Sequence, residues 1–401
     1  MTSFNQDSNK SDNFLAHPDT RNRLFPPCRV SDLAALCSQQ ALPQDYPLAS
    51  SISKSIPIYS LPPFDSLSDS QRAALQDEWY RVLLSGPGVL VIKALYPCSL
   101  IHRVSSVFRS IMQSQQPTGD HFAPAASNDR IWDALSKHCL ADPASFTLYY
   151  SNPLLGLVAS SWLGPVYRIT AQVNNVRPGG AAQSCHRDYH LGFSSPSACV
   201  QVPAAAQVAS QCLTLQAGVA HGPVPLQSGP TRVLPFSQGY APGYLAYRQP
   251  DFAQFFQDNH VALPLEAGDA IFFNPALFHA AGSNESQKNR LVNLLQIGSA
   301  WSKTMEAGDA IPLIDSCWDD MKKLYAERGM LDVTRLMAAV AEGYPFPTNL
   351  DQNPPKADGM APMSEQDVVM DSLKNDETKG QVVHKINSLR QASKALGRVK
   401  P

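Results

Sequence analysis

Two histidines and one aspartate have the residue types and spacing that best fit metal chemistry in this chain of 401 residues. His186 and Asp188 stand two positions apart, so on an extended segment both side chains point to one face. His279 follows the run 268–273, Gly-Asp-Ala-Ile-Phe-Phe, which has the pattern of a turn leading into a buried strand. Two imidazoles and a carboxylate on one face of an octahedral metal leave three coordination positions open, as in non-haem Fe(II) sites. The pattern therefore indicates a metal site that can take further ligands.

A His-x-Asp motif is a weak signal by itself, because the chain contains a second one, His17-Pro18-Asp19. That copy lies in a polar stretch without a strand pattern, and we attribute it to chance. The motif at 186–188 instead follows a strand-like run and a Pro-Gly turn. His221 and His260 compete for the place of the second histidine. Neither follows a Gly-Asp run or is followed by a matching arginine, so the context favours the histidine at 279.

An arginine stands where an acidic co-substrate would need a cation. Arg290 comes eleven residues after His279, at the head of the predicted strand 291–298. A guanidinium is a planar fork that binds a carboxylate through two parallel hydrogen bonds, which suits an oxo-acid co-substrate. Lys288 is the neighbouring cation that could replace it.

The elements that must position these residues are short β-runs separated by Gly and Pro turns. Apolar and polar residues alternate from 166 to 174, which is strand spacing. The chain between these runs lacks the helices of 10–15 residues that a parallel βαβ sheet requires. The pattern predicts an α+β protein with a compact antiparallel barrel or jelly roll, and helices before and after it. The further predicted strands are 211–219, 231–235, 260–265, 270–273 and 291–298.

The helical patterns lie on either side of this β region. Ser68-Asp69-Ser70 precedes an apolar stripe of helical spacing that stops at Gly86-Pro87-Gly88. Further helices are predicted at 30–40, 98–112, 130–138, 152–163, 314–328 and 331–342. We expect an N-terminal extension, partly irregular, over 1–66. The expected main domain (67–301) has helices in 67–165 and a jelly-roll core in 166–301, and is followed by C-terminal helices (302–345) and a linker with a basic amphipathic tail (346–401).

Composition excludes several classes of protein. The chain has 32 Lys and Arg against 34 Asp and Glu, a net charge of −2, so it lacks the basic excess of a nucleic-acid binder. Its 8 cysteines show no C-x-x-C spacing, and the N-terminus lacks a signal-peptide layout. Prolines interrupt the uncharged stretch 143–167, so no membrane span is predicted. We expect a cytoplasmic protein with free thiols, and the sequence leaves its oligomeric state open.

Four segments resemble the phytanoyl-CoA dioxygenase (PhyH) family in composition, order and rough spacing. The resemblance extends over about 89–301 and is sharpest in 166–300. The segments are P-G-G-A-A-Q-S-C-H-R-D (178–188), S-G-P-T-R-V-L-P-F-S-Q (228–238), G-D-A-I-F-F-N-P-A-L-F-H (268–279) and H-A-A-G-S-N-E-S followed by Arg (279–290).

The resemblance implies a double-stranded β-helix of the cupin-like type and an oxygenase that uses Fe(II), 2-oxoglutarate and O2. It implies His186, Asp188 and His279 as the catalytic Fe(II) ligands. It also implies that Arg290 binds the distal carboxylate of 2-oxoglutarate. The residues expected to touch that co-substrate as well are Gln183 and Thr231.

Two departures from the family pattern concern a turn after the third predicted strand. Phe236 stands where the family usually has Gly, and Gln238 stands where it usually has His. The metal triad is intact. Because related halogenases lack the carboxylate, Asp188 disfavours halogenation.

The function implied is the hydroxylation or other oxidation of a small, largely apolar metabolite, with succinate and CO2 as products. The stretch 189–231 carries no charged residue and begins directly after the motif, so we expect it to surround the mouth of the metal site. The alternative is a β-barrel protein that binds a metal without catalysis.

Overall fold

The computed structural model of the protein describes residues 22–115, 128–357 and 359–394. The motif at 17–19 lies outside these ranges, and so does most of the segment 113–128, for which the sequence pattern predicts a loop. Ten β-strands are found in the described residues: β1 (Ser51–Ser53), β2 (Ile56–Tyr59), β3 (Val89–Ile92), β4 (Asn128–Ile131), β5 (Tyr167–Val176), β6 (Thr214–Ala220), β7 (Thr231–Val233), β8 (Ala270–Phe273), β9 (His279–Ala281) and β10 (Arg290–Ser299).

Fourteen α-helices precede, interrupt and follow the strands in the same described ranges. They are α1 (Val30–Cys37), α2 (Asp69–Leu84), α3 (Cys98–Ser114), α4 (Ala134–Ala141), α5 (Pro143–Tyr150), α6 (Pro153–Leu163), α7 (Pro196–Cys199), α8 (Ala204–Ser210), α9 (Gly243–Ala246), α10 (Pro250–Asn259), α11 (Ala310–Arg328), α12 (Met330–Val340), α13 (Glu365–Lys374) and α14 (Lys379–Ala392).

Eight of the strands form one large sheet, in the order β1-β2-β3-β8-β6-β10-β5-β4. All neighbouring pairs are antiparallel except β2 and β3, which are parallel. The long strand β10 lies between β5 and β6, and its register with β5 runs from Arg290 opposite Val176 to Ser299 opposite Tyr167. The predicted strands on β5, β6, β8 and β10 are therefore confirmed within a few residues.

A small second sheet faces the large one and carries the metal motif. Its regular part is the antiparallel pair β7 and β9. Single antiparallel bridges widen it on both sides, from His186 to His279 and from Val233 to Val261. The predicted strand 260–265 is limited to such bridges, at Val261 and Leu265. The two facing sheets form the predicted double-stranded β-helix, with helices around it.

Along each strand of the large sheet, alternate side chains point to its two opposite faces. On β10, Leu295 and Ile297 are buried in the main apolar core, which the helices cover. Val292 and Leu294 face the opposite way and line the space between the two sheets. Because side chains alternate along a strand, one segment contributes to both the helical core and the interior of the β-helix.

The helix predicted after Ser68 is confirmed together with its start signal. The hydroxyl of Ser68 accepts a hydrogen bond from the main-chain N–H of Gln71, and the side chain of Gln71 accepts one from the N–H of Ser68. This reciprocal capping box satisfies two N–H groups that a helix start otherwise leaves unpaired.

In the N-terminal region, the predicted helix at 30–40 is found as α1, which packs beside α10, and the strands β1 and β2, which the sequence did not predict, belong to the large sheet. Two local expectations are wrong. The predicted helix at 130–138 is split, since β4 ends at Ile131 and α4 begins at Ala134. The expected linker contains α13, which packs on α12. Among the described residues, no helix combines the length and apolar character needed to cross a membrane.

Candidate active site

A cavity between the two sheets brings together all six residues that the sequence singles out. Its volume is about 880 Å³ when its opening to solvent is included. The six residues that line it are His186, Asp188, His279, Arg290, Gln183 and Thr231.

The three proposed metal ligands form one compact cluster. Nε2 of His186 lies 3.6 Å from one carboxylate oxygen of Asp188, and Nε2 of His279 lies 3.5 Å from the other. One ligand atom from each residue can be chosen so that all lie within 4.8 Å of one another. This donor set of two nitrogens and one oxygen fits a non-haem Fe(II) site that keeps open positions.

Main-chain pairing holds the two histidines beside each other. The N–H of His186 donates to the carbonyl of His279 at 3.0 Å, and the N–H of His279 donates back to His186 at 3.1 Å. The N–H of Asp188 donates to the carbonyl of Pro275 at 3.1 Å. The ligands therefore converge through strand geometry and alternation of side chains, as the spacing predicts.

Each histidine is held in the tautomer that a metal requires. Nδ1 of His186 donates to the carbonyl of Ser184 at 2.8 Å, and Nδ1 of His279 donates to the carbonyl of Leu277 at 2.9 Å. Because a carbonyl only accepts, the proton of each neutral ring is on Nδ1. The lone pair on each Nε2 is then available to a cation, and the second hydrogen bond fixes the ring orientation.

The charge states of the cluster also suit a metal. Burial lowers the pKa of His186, and the neighbouring His279 lowers it further, so His186 is neutral at physiological pH. Burial alone raises the pKa of the Asp188 carboxyl. The two histidines and the hydrogen bond from Gln216 outweigh that effect, and the pKa lies well below its usual range. The Gln216 amide donates to the Asp188 carboxylate at 2.5 Å.

Arg290 supplies a buried cation to the same cavity. It is the first residue of β10, and its guanidinium also donates to the carbonyl of Gly229. Gln183 lines the same cavity, and its side-chain oxygen accepts a hydrogen bond from the N–H of Ala281 at 3.1 Å. Together with Thr231 these groups offer a charged donor and polar contacts for a dicarboxylate.

Four further polar residues line the cavity: Arg130, Asn174, Gln216 and Gln296. The alternation along β5 left open which of its faces is interior, and the structure places Asn174 on the cavity face. Its companion Gln172 accepts a hydrogen bond from Arg130 at 2.6 Å. Arg130 and Gln216 were missed, the former because its segment was predicted to be helical. The strand pattern of 211–219 was the available signal for Gln216.

Three further polar residues, His190, His221 and Gln238, do not line the described cavity. The His190 ring bonds to the carbonyl of Lys303, and Gln238 donates to the carbonyl of Gly86 at 2.7 Å. His221 is buried, and its two ring nitrogens form hydrogen bonds with the hydroxyls of Ser105 and Tyr149.

The uncharged segment after the motif contributes to the cavity wall. The residues from this segment on the wall are Phe193, Gln216, Ala217, Gly218, Val224, Pro230 and Thr231. The expectation that part of 189–231 surrounds the metal site is therefore confirmed, whereas α7 and α8 provide no residue to the described wall.

The fold and the cluster define the class of protein: a double-stranded β-helix whose interior carries two histidines and a carboxylate. The sequence profile of the phytanoyl-CoA dioxygenase (PhyH) family matches residues 87–292, just over half of the chain, and the protein belongs to this family. It is a 2-oxoglutarate-dependent oxidoreductase, and its donor set fits the iron and 2-oxoglutarate that this class uses. The comparison with curated proteins gave no match.

Solved structures with a similar fold include two enzymes of nogalamycin biosynthesis. One is the non-heme alpha ketoglutarate dependent epimerase SnoN, here in complex with Fe3+, alpha ketoglutarate and nogalamycin RO. It is 17% identical, with a TM-score of 0.44, covering 60% of this chain and 90% of its own. The other is the non-heme alpha ketoglutarate dependent carbocyclase SnoK, 17% identical, with a TM-score of 0.42, covering 59% of this chain and 85% of its own.

Proposed function

We propose that this protein oxidises a small, largely apolar organic molecule, with hydroxylation as the default outcome, and that 2-oxoglutarate is converted to succinate and CO2. His186, Asp188 and His279 hold Fe(II). Arg290 binds the distal carboxylate of 2-oxoglutarate, and Gln183 and Thr231 contact the same molecule.

One observation carries this proposal: the cluster of three ligands and the buried guanidinium of Arg290 share a single cavity. Either feature alone has ordinary structural explanations. A buried cation that lines a cavity favours an anionic ligand there, because desolvation strengthens the charge pairing. The cluster and the cation together match a metal with a chelating oxo-acid.

The protein's own residues bind the metal and the co-substrate, orient them, and shield the reacting groups from water. Iron and 2-oxoglutarate, when bound, supply the oxidising chemistry with O2. The two imidazoles and the carboxylate occupy one face of the metal, which leaves the other positions for the co-substrates. Val224, Leu265 and Ile271 provide apolar wall, which limits water around the reacting groups.

The composition of the wall supports the proposed substrate class. Asp188, Arg130 and Arg290 are the charged residues among those that line the described cavity. In the proposed site, Asp188 is bound to the metal and Arg290 to the co-substrate. Apolar and amide side chains make up most of what remains for the substrate.

The cysteines support the proposed cytoplasmic location. All eight are free thiols, and Cys139, Cys185, Cys199 and Cys317 are buried. Unpaired thiols are typical of proteins in reducing compartments.

The proposal is tested by loading the protein with Fe(II) under anaerobic conditions and adding 2-oxoglutarate. We expect a visible metal-to-ligand charge-transfer band and, on admission of air, formation of succinate. Absence of both the band and succinate would refute the proposal and favour a metal-binding protein without catalysis. Screening metabolite extracts for Fe(II)- and 2-oxoglutarate-dependent gain of one oxygen would then identify the substrate.

Arg290→Ala is the matched test of the co-substrate site. Loss of a buried charged hydrogen-bond partner costs roughly 2–3 kcal/mol, so the 2-oxoglutarate concentration for half-saturation should rise about 30- to 150-fold. Lys288→Ala removes an exposed cation two residues away and should leave that concentration unchanged. An equal effect of the two substitutions would contradict the role given to Arg290.

A further inference from the structure

The residue between the first two proposed ligands lies on the opposite side of the small sheet. Side chains alternate here, so His186 and Asp188 face the cavity whereas Arg187 points outward into an apolar cluster. That cluster includes Cys185, Tyr240, Phe252 and Phe278. Arg187 is 1% exposed and has no acidic partner among the described residues, which is unusual for a buried arginine.

The guanidinium of Arg187 is bound by main-chain carbonyls and aromatic rings. Its Nη2 donates to the carbonyl of Ser237 at 2.6 Å and to that of Tyr240 at 2.8 Å. Its Cζ lies 5.1 Å from the centre of the Phe278 ring and 5.4 Å from that of Tyr244. Nε and Nη1 have no hydrogen-bond partner among the described residues. Such a buried charge is costly, so a purely structural role would be better served by an apolar side chain.

These contacts join the two ligand-bearing segments through a third segment, 237–244. The hydroxyl of Ser237 accepts the main-chain N–H of Phe278, the residue before the ligand at 279, at 2.8 Å. The hydroxyl of Tyr244 donates to the carbonyl of Asp188 at 3.1 Å. Segment 237–244 is therefore tied to both ligand segments, and Arg187 lies at the centre of these ties.

The guanidinium of Arg187 occupies space that is free only because residue 243 is a glycine. A Cβ atom added at Gly243 would lie 2.0 Å from Cζ of Arg187, closer than any real contact allows. The first residue of α9 must therefore be glycine for the guanidinium to reach both carbonyls.

We propose that Arg187 is a positioning residue, which holds the segments of His186, Asp188 and His279 in the relative placement that binds iron. The inference rests on the proposed function of the cluster as an iron site. Arg187 touches neither the metal position nor the cavity. It acts through the main chain on either side of it and through Phe278.

The test compares Arg187→Lys with a matched control, Arg168→Lys. Arg168 is also a buried arginine bonded to carbonyls, those of Ala338 and Ala341, and it is not among the residues that line the described cavity. Lysine keeps the charge and loses the planar fork. For each protein we would measure the thermal midpoint without metal, the Fe(II) dissociation constant, and the charge-transfer band with 2-oxoglutarate.

We expect both substitutions to lower the thermal midpoint, and only Arg187→Lys to weaken Fe(II) binding, by about 10- to 100-fold, with a weakened or shifted band. Fe(II) affinity and band unchanged in Arg187→Lys, with the midpoint lowered as in the control, would overturn the inference. A wild-type protein that binds no Fe(II) would instead overturn the proposed function.

A second variant covers the case in which Arg187→Lys does not fold. Tyr244→Phe keeps the ring beside the guanidinium and removes the hydrogen bond to the carbonyl of Asp188. We expect Fe(II) affinity to fall about fivefold, the equivalent of one ordinary hydrogen bond. Unchanged affinity in this variant would overturn the inference in the same way.

Discussion

The two faces of the large sheet are built by the same strands, yet they differ in what they contain. The helical face of β10 buries Leu295 and Ile297 among apolar residues. The cavity face of the same strand presents Arg290 and Gln296 beside Val292. Stability and binding are thus assigned to alternate residues of one strand. A one-residue change of register would exchange the two sets, so the fold's register is also what defines the active site.

The largest effect that we expect comes from a substitution on the cavity face, and it tests whether that face provides binding without providing stability. Asp188→Asn removes the anionic ligand with almost no change of shape. We expect Fe(II) affinity and turnover to fall by more than about a hundredfold, because loss of a ligand exceeds loss of an outer contact. The metal-free protein should unfold at a free energy within about 1 kcal/mol of the wild type. Fe(II) titration measures the affinity, and urea denaturation measures the free energy of unfolding. A large loss of stability would contradict the view that the cavity face contributes binding and the helical face stability.

Adjacent leucines on β10 give the most direct test of the division. Leu295 is fully buried on the helical face, whereas Leu294 lines the cavity. Leu295→Ala should lower the free energy of unfolding by about 2–5 kcal/mol, through lost burial and a residual void. Leu294→Ala should cost much less and alter the substrate KM, because it enlarges a space that already exists. Equal losses in urea denaturation would show that the two faces do not differ in this way.

The pH dependence of stability should come mainly from the helical face. Burial lowers the pKa of both His138 and His221 to about 3. In the unfolded chain these histidines titrate near pH 6.5, so below that pH the unfolded state binds more protons and stability is lost as the pH falls. The free energy of unfolding should decline by up to about 1.4 kcal/mol per pH unit for each histidine.

Urea denaturation of the metal-free protein between pH 7 and pH 5 measures this decline. His221→Gln keeps polar contacts to Ser105 and Tyr149 and cannot titrate, so its decline should be shallower. The same slope in this variant and the wild type would contradict the assignment. His186 contributes with the same sign from the cavity side, because its pKa is also lowered.

The smallest expected effect concerns a turn that connects the faces. Phe236 belongs to the helical core and has φ of 69°, in the left-handed region that favours glycine. Phe236→Gly and Phe236→Ala both lose the ring, but only alanine keeps a Cβ in that conformation. The glycine variant should therefore be about 1 kcal/mol more stable than the alanine variant, as measured by urea denaturation. Equal stability would mean that the turn relaxes without the ring.

The sequence predicted the strands of the β-helix well, because alternation and turn residues are local signals. It left open which face of β5 lines the cavity, because polar residues that alternate along a strand can face either solvent or an interior space, and nearly every residue of this strand is buried. Arg130 was not predicted to line the cavity because its edge strand β4 has four residues, which are too few for a periodic pattern. This strand is formed by pairing with β5.

The six residues of the candidate site were predicted, and the structure brings them to one cavity. Their supporting contacts were not predictable. Nothing in the local pattern relates Gln216 to Asp188 or Arg187 to Ser237, because these pairs are formed by the packing of distant segments. The departure at Phe236 illustrates the same limit. The residue differs from the family's glycine, but the backbone retains a glycine-like conformation.

The backbone of Tyr189, directly after Asp188, has φ of 69° and ψ of 178°, a conformation that non-glycine residues rarely adopt. Its hydroxyl donates to the carbonyl of Lys303 at 2.6 Å. Strain of about 1–3 kcal/mol is thus held beside a proposed ligand by a contact with a remote loop. Loss of the contact with Lys303 would release this strain, and Asp188 is the adjacent residue that would move. On gradual heating, we expect the protein to release bound metal at a lower temperature than that at which its sheets unfold.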